Sequence, residues 1–211
     1  MAGDVPRSWR SILESGLGDG RTQILGIFLI IVAVTGTLMM RRYANIETVF
    51  VATLLAGSLL GRWWTVLVPL SALVVQQTLA WSVFGGYALS TMTGVTFFVV
   101  SGYLFVALVG RRIRPRILFR VKSVALLTTI SVPLTVGYDL WTAFGEWYFL
   151  TRPFGVTLGV MIEAQVPFTL YHVLSSLIFV PLFGSAFLFL HAYGWPTRSA
   201  DRTSSEPLSR E

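Results

Sequence analysis

The chain has 211 residues, of which 54% are apolar and 12% charged; the formal net charge is +6, the mean hydropathy +0.70, and cysteine is absent. Soluble domains carry about 25% charged residues, so this composition excludes a disordered chain, a nucleic-acid-binding domain and an ordinary soluble enzyme. Without cysteine there is no disulfide framework, thiolate metal site or cysteine nucleophile.

From Trp63 to Gly110, 48 residues pass without an acidic or basic side chain. A soluble fold of this size cannot shield such a stretch from water, whereas a bilayer accepts it, one span needing about 20 apolar residues. Lipid leaves backbone groups no partner but each other, and the apolar residues come in runs rather than alternating, so helices are expected and a barrel is not. The sequence predicts an all-α membrane protein with six transmembrane helices in one bundle.

Residues 1–22 read as a polar cytosolic tail with a short surface helix near 7–16. The membrane domain covers 23–192. Its first span, Gln23–Met40, is too long for a typical signal-peptide core and no small-residue cleavage site follows it. Arg41 to Glu47 forms a polar joint, Thr48–Leu60 a short second span, and Gly61-Arg62 a tight turn into the third, Trp63–Ala80. An uncharged aromatic loop with Gly85-Gly86 leads to the fourth, Met92–Gly110. Arg111–Lys122 is a basic connector, a stop-transfer cluster that also suits anionic headgroups. The fifth span, 123–144, is expected to bend at Pro133 and Gly137. Residues 145–166 mix Glu146, Arg152, Pro153 and Glu163 with apolar residues and predict a loop plus a half-inserted helix near 155–164. Pro167 suits the first turn of the sixth span, which runs to about Leu190. Residues 193–211 read as a disordered cytosolic tail.

Six spans put both termini on one side. If that side is the cytosol, the inner segments hold thirteen Lys and Arg and the outer segments three, Arg41, Arg42 and Arg152. This bias predicts a multi-pass cell-membrane protein with cytosolic termini. The outer side is chemically varied, with Glu47, Asp139, Glu146 and Glu163.

Candidate binding residues gather at the outer span ends. They are Arg42, Asn45 and Glu47 around the first joint; Gln76, Gln77 and Trp81 on the third span; Tyr138, Asp139, Trp141 and Thr142 on the fifth; Tyr171 and His172 on the sixth. Asp139 and His172 each interrupt an apolar run, and ionisable groups at membrane depth face a cavity or a partner. Two readings are open: an outward-facing pocket for a small polar ligand, or an interfacial belt of Trp and Tyr with a few charge pairs. Small residues at helical spacing, Ala52 with Ala56, Gly57 with Gly61, and Gly26, Ala33 and Thr37 on one face of span one, allow close helix contact.

Ser101-Gly102 on span four and His172 on span six invite comparison with rhomboid-type intramembrane serine proteases. Val99 stands where that pattern has glycine, and the other histidine is His191, not one on span two. His172 and His191 lie too far apart on one helix to share a metal, and no phosphate-binding glycine loop occurs. A non-enzymatic protein without a cofactor is expected.

Asn45-Ile46-Glu47 opening span two, Leu59 to Trp64 at the inner turn, Gly137 to Gly145 closing span five, and Pro167-Phe168 with Tyr171-His172 opening span six resemble the substrate-binding S components of energy-coupling factor vitamin transporters and membrane proteins related to them. The resemblance covers about residues 23–190. It implies capture of a vitamin-like micronutrient from outside by loop 1 and the outer span ends. It also implies that the small-residue face of span one (Gly26, Ala33, Thr37) docks on a membrane coupling subunit driven by ATPase subunits. The family's Ala-x-x-x-Ala is Ala33-x-x-x-Thr37 here, and its asparagine after the span-five threonine is Ala143. The alternative is a structural or assembly subunit of a larger membrane complex.

Overall fold

A computed structural model describes residues 17–39, 48–61, 63–83, 89–118 and 120–193, with side chains for all of these except 37, 76, 77, 79–83, 89–92 and 191–193. Every regular element among the described residues is helical. In chain order the main helices are α1 (Gly20–Met39), α2 (Thr48–Leu55, continued by a π-helical turn over Ala56–Leu60), α3 (Trp64–Val83), α4 (Leu89–Ile113), α5 (Val121–Glu146) and α6 (Leu158–Tyr193). Three stretches are long and apolar enough to cross a membrane: Thr93–Arg116, Val121–Phe154 and Leu158–Leu190, with mean hydropathies of 1.9, 1.3 and 2.2. Gly20–Gly36, Thr48–Leu60 and Trp64–Val75 are shorter apolar helices.

The shortest helix is the centre of the bundle. Every residue from Thr48 to Leu60 is buried, and α1, α3, α4 and α6 pack around α2. In lipid an apolar side chain gains nothing by leaving the solvent, so helix association depends on close van der Waals contact. Small residues supply it. A β-carbon on Gly57 would sit on the Ala107 carbonyl oxygen of α4, and one on Gly110 would lie 2.7 Å from the Leu54 carbonyl oxygen. The backbones of α2 and α4 therefore touch. Gly61 ends α2 with φ +64°, a conformation that side chains resist, and its N–H closes the π turn on the Ala56 carbonyl at 2.8 Å.

Gly26 and Ala33 belong to this internal packing. A β-carbon on Gly26 would strike the Trp64 ring, while Ala33 is fully buried and its carbonyl accepts the Thr48 hydroxyl at 3.1 Å. The outward docking stripe expected on the first span is thus turned inward at these two positions, because α2 and α3 fill the space beside them. The side chain of Thr37 lies outside the described set.

The helix ends sort by chemistry. Arg21 donates to the Leu190 carbonyl at 3.0 Å and the Trp64 indole to the Leu17 carbonyl at 2.9 Å. Arg114 lies against Gly61. The starts of α1 and α3, the end of α6 and the α4–α5 connector therefore share one end of the bundle. This basic end carries Arg21, Arg111, Arg112, Arg114, Arg116, Arg120 and Lys122 among the described residues. The opposite, aromatic end carries Trp147 and Tyr148, with the Arg152 guanidinium over both rings at 5.6 and 5.0 Å.

The expectation for 145–166 is overturned. α5 continues through a π turn over Trp147–Thr151 and a 3₁₀ turn over Arg152–Phe154, and α6 begins at Leu158. Gly155, at φ +79°, makes the break, and Thr157 starts the next helix by accepting the Val160 N–H at 3.4 Å on its hydroxyl. Pro167 therefore lies inside α6, not in its first turn.

Candidate functional site

α5 and α6 form an antiparallel hairpin whose interface carries polar pairs one helical turn apart. Thr135 and Ser176 share a buried hydrogen bond of 2.9 Å. One turn towards the aromatic end, His172 Nδ1 lies 2.8 Å from Asp139 Oδ1, with the two side chains 1% and 4% exposed. The spacing of four residues on each strand of the hairpin places these side chains on the same face. From the start of α5, Asp139 lies about 27 Å along the helix at 1.5 Å per residue. It is therefore well inside a membrane-length helix and nearer the aromatic end.

Aromatic rings enclose the pair. Phe50 of α2 meets the His172 ring edge-on at 5.2 Å, Tyr138 meets it at 5.9 Å, and Tyr103 of α4 lies tilted over Tyr138 at 4.7 Å. All four side chains are buried. The site thus draws on α2, α4, α5 and α6. Gly102 permits it, since a β-carbon there would lie 2.8 Å from the Tyr138 ring.

Asp139 uses only one oxygen. Oδ2 is buried and receives no hydrogen bond from the described residues. A buried acceptor without a donor costs about 1–3 kcal/mol, more for a charged group. Chemically, the carboxylate orients the imidazole as carboxylates orient histidine in metal and catalytic sites. When Asp139 is ionised, Nδ1 carries the proton; Nε2 is then an acceptor in the neutral ring and a donor in the protonated one.

The expected site residues divide into three groups. Tyr138, Asp139 and His172 come together. Thr142 stays close to the backbone, donating to the Tyr138 and Asp139 carbonyls at 3.1 Å, and Trp141 turns aside to donate to the Ser101 hydroxyl at 2.9 Å. Tyr171 is not part of the site: it is 65% exposed on the far face of α6, since the residue before an inward-facing one on a helix points about 100° away. Arg42, Asn45 and Glu47 lie outside the described residues, as do the side chains of Gln76, Gln77 and Trp81. Ser101 donates to the Phe98 carbonyl at 3.1 Å, so the described contacts of Ser101 and His172 run to different partners. No group of three or more His, Asp or Glu that could hold a metal occurs among the described residues.

Sequence reasoning missed Phe50, Tyr103, Thr135 and Ser176. The last two carried a usable signal, each standing four residues from an ionisable partner on the same helix. Phe50 and Tyr103 had none, being ordinary aromatics in apolar runs.

No family model matches the chain, and neither curated proteins nor solved structures give a match.

Proposed function

We propose that this chain is a six-span integral membrane subunit, with its basic end and both termini in the cytosol, that binds a small polar molecule from the outer side. The observation that carries this reading is the buried Asp139–His172 pair with its Oδ2 unfilled. An ionisable residue at membrane depth marks a functional site by default, and a vacant carboxylate lone pair calls for a ligand N–H or O–H. The substrate class is therefore a compact molecule bearing an amine, amide or hydroxyl donor beside a flat apolar part, which Phe50 and Tyr138 would cover. Entry would pass the α1–α2 joint, where Arg42, Asn45 and Glu47 stand in sequence. The resemblance to energy-coupling factor S components supports the same role, with a coupling subunit and ATPases as partners.

A second reading, a structural or assembly subunit, draws on a specific observation: the pair is closely enclosed by aromatic rings, and neither Asp139 nor His172 lines the hollow of about 420 Å³ beside Tyr138 that Ser101, Gly102, Phe105, Gly137 and Trp141 complete. A thermal-shift screen of vitamin-like donors on purified protein separates the two. The binding reading expects a stabiliser whose effect disappears in Asp139→Asn. A well-folded protein that gives no stabiliser, and purifies with non-ATPase partners, supports the assembly role instead.

A further inference from the structure

Between the start of α5 and the last turns of α6, at the basic end, lies a groove of about 480 Å³ lined by Arg120, Val121, Val124, Ser185, Leu188 and Phe189. Its apolar walls are far from fully covered: Val121 is 86% exposed and Phe189 56%. Arg120 lines the groove itself. Arg111, Arg112, Arg114, Arg116 and Lys122 fall with it within twelve residues of sequence at the same end of the bundle, all six are exposed, and no described acidic side chain pairs with any of them.

We propose that this groove is a binding site for an anionic phospholipid, with one acyl chain along Val121, Val124, Leu188 and Phe189 and the headgroup phosphate on Arg120 and Lys122. Three observations choose this occupant. The groove lies within the first turn of one membrane-length helix and the last turns of another, which is the depth where a phospholipid passes from acyl chain to headgroup. Its lining is mostly apolar, so a free phosphate could meet the cations at the rim but would leave the apolar hollow unfilled. Its volume is too small for a helix, whose diameter with side chains is about 10–12 Å. Basic pockets between membrane helices on the cytosolic side recognise lipid headgroups through this same combination. The inference rests on membrane residence of the bundle, but not on the ligand assigned to Asp139 and His172.

The test uses the full chain in a mild detergent and native mass spectrometry. Phosphatidylglycerol and phosphatidylcholine with identical acyl chains are added in equal amounts. Phosphatidylglycerol is expected to be retained at least tenfold more. That preference should collapse in Arg120→Gln/Lys122→Gln, which removes charge, and total lipid retention should fall in Ser185→Phe, which fills the groove and leaves every charge in place. Soluble glycerol 3-phosphate should not compete, which separates a lipid headgroup from a free phosphate. Equal retention of the two lipids overturns the proposal, as does undiminished retention in Ser185→Phe. Both variants change exposed positions, and an unchanged melting temperature identifies a folded sample.

Discussion

An aspartate in the middle of a membrane helix costs about 3 kcal/mol on insertion scales, and Asp139 offsets that cost with a 2.8 Å bond to His172. Breaking a buried pair from one side leaves the other group uncompensated, at about 3–5 kcal/mol. Asp139→Leu and His172→Leu should each destabilise by that amount, while the double variant recovers most of the loss. Denaturation in detergent reads the cycle; simply additive losses would mean the two groups act separately. Asp19 has a defined role at the start of α1. The Thr22 hydroxyl and N–H both donate to its Oδ1, at 2.6 and 3.0 Å, and hold its carboxyl below the usual range. A carboxyl depressed in the folded state contributes stability above its unfolded pKa and loses it as pH falls through the folded value. Asp19→Ala should therefore cost about 1 kcal/mol at neutral pH and almost nothing in strong acid. A variant effect that persists unchanged in acid contradicts the cap. Both ionisable partners at the centre were legible as interruptions of apolar runs. Their pairing was not, because it depends on the register of α5 against α6, which no local pattern encodes.

At the scale of elements, the glycines separate into those that hold backbones together and those that do not. Gly57→Leu should abolish folding or destabilise beyond 3 kcal/mol, the size of a severe overpacking change, because Ala107 backbone occupies the space. Gly137 has open space at its β position, so Gly137→Ala should be neutral or stabilise by up to about 1 kcal/mol through helix propensity. Thermal unfolding of the two variants checks the contrast, and equal effects would contradict the α2–α4 contact. The tight turn at Gly61 was readable because a glycine beside a charge breaks an apolar run. The segment 145–166 was not, for a physical reason. Its charges look like loop residues in a one-dimensional reading, yet Arg152 folds over Trp147 and Tyr148 and lets the helix continue. The true start signal of α6 was the pair Gly155 and Thr157, a left-handed stop followed by a side-chain cap.

For the molecule as a whole, charge and fold agree. The cations that sequence assigned to inner segments stand at one end of the bundle wherever the structure describes them, and the ring-rich turns stand at the other. Because the chain contains no cysteine, single labels report topology directly. Arg114→Cys should resist a membrane-impermeant maleimide in intact cells, and Thr157→Cys should react; both reacting from one side would contradict the six-span arrangement. Composition made the long apolar helices legible, since 48 uncharged residues in a row fit helices long and apolar enough to cross a membrane. The arrangement of helices around a short, fully buried α2 was not legible, because every face of that helix is apolar and no amphipathic stripe tells which neighbour each face meets.

The central claim is that the Asp139–His172 pair serves a ligand rather than the fold alone. Native mass spectrometry of the chain purified without added ligand tests it most directly, with Asp139→Leu/His172→Leu as the comparison because that variant keeps the bundle packed. The account predicts one small polar molecule bound to the unmodified chain and none on the double variant at equal melting temperature. An unmodified, well-folded chain that carries the same complement of small molecules as the double variant would contradict it.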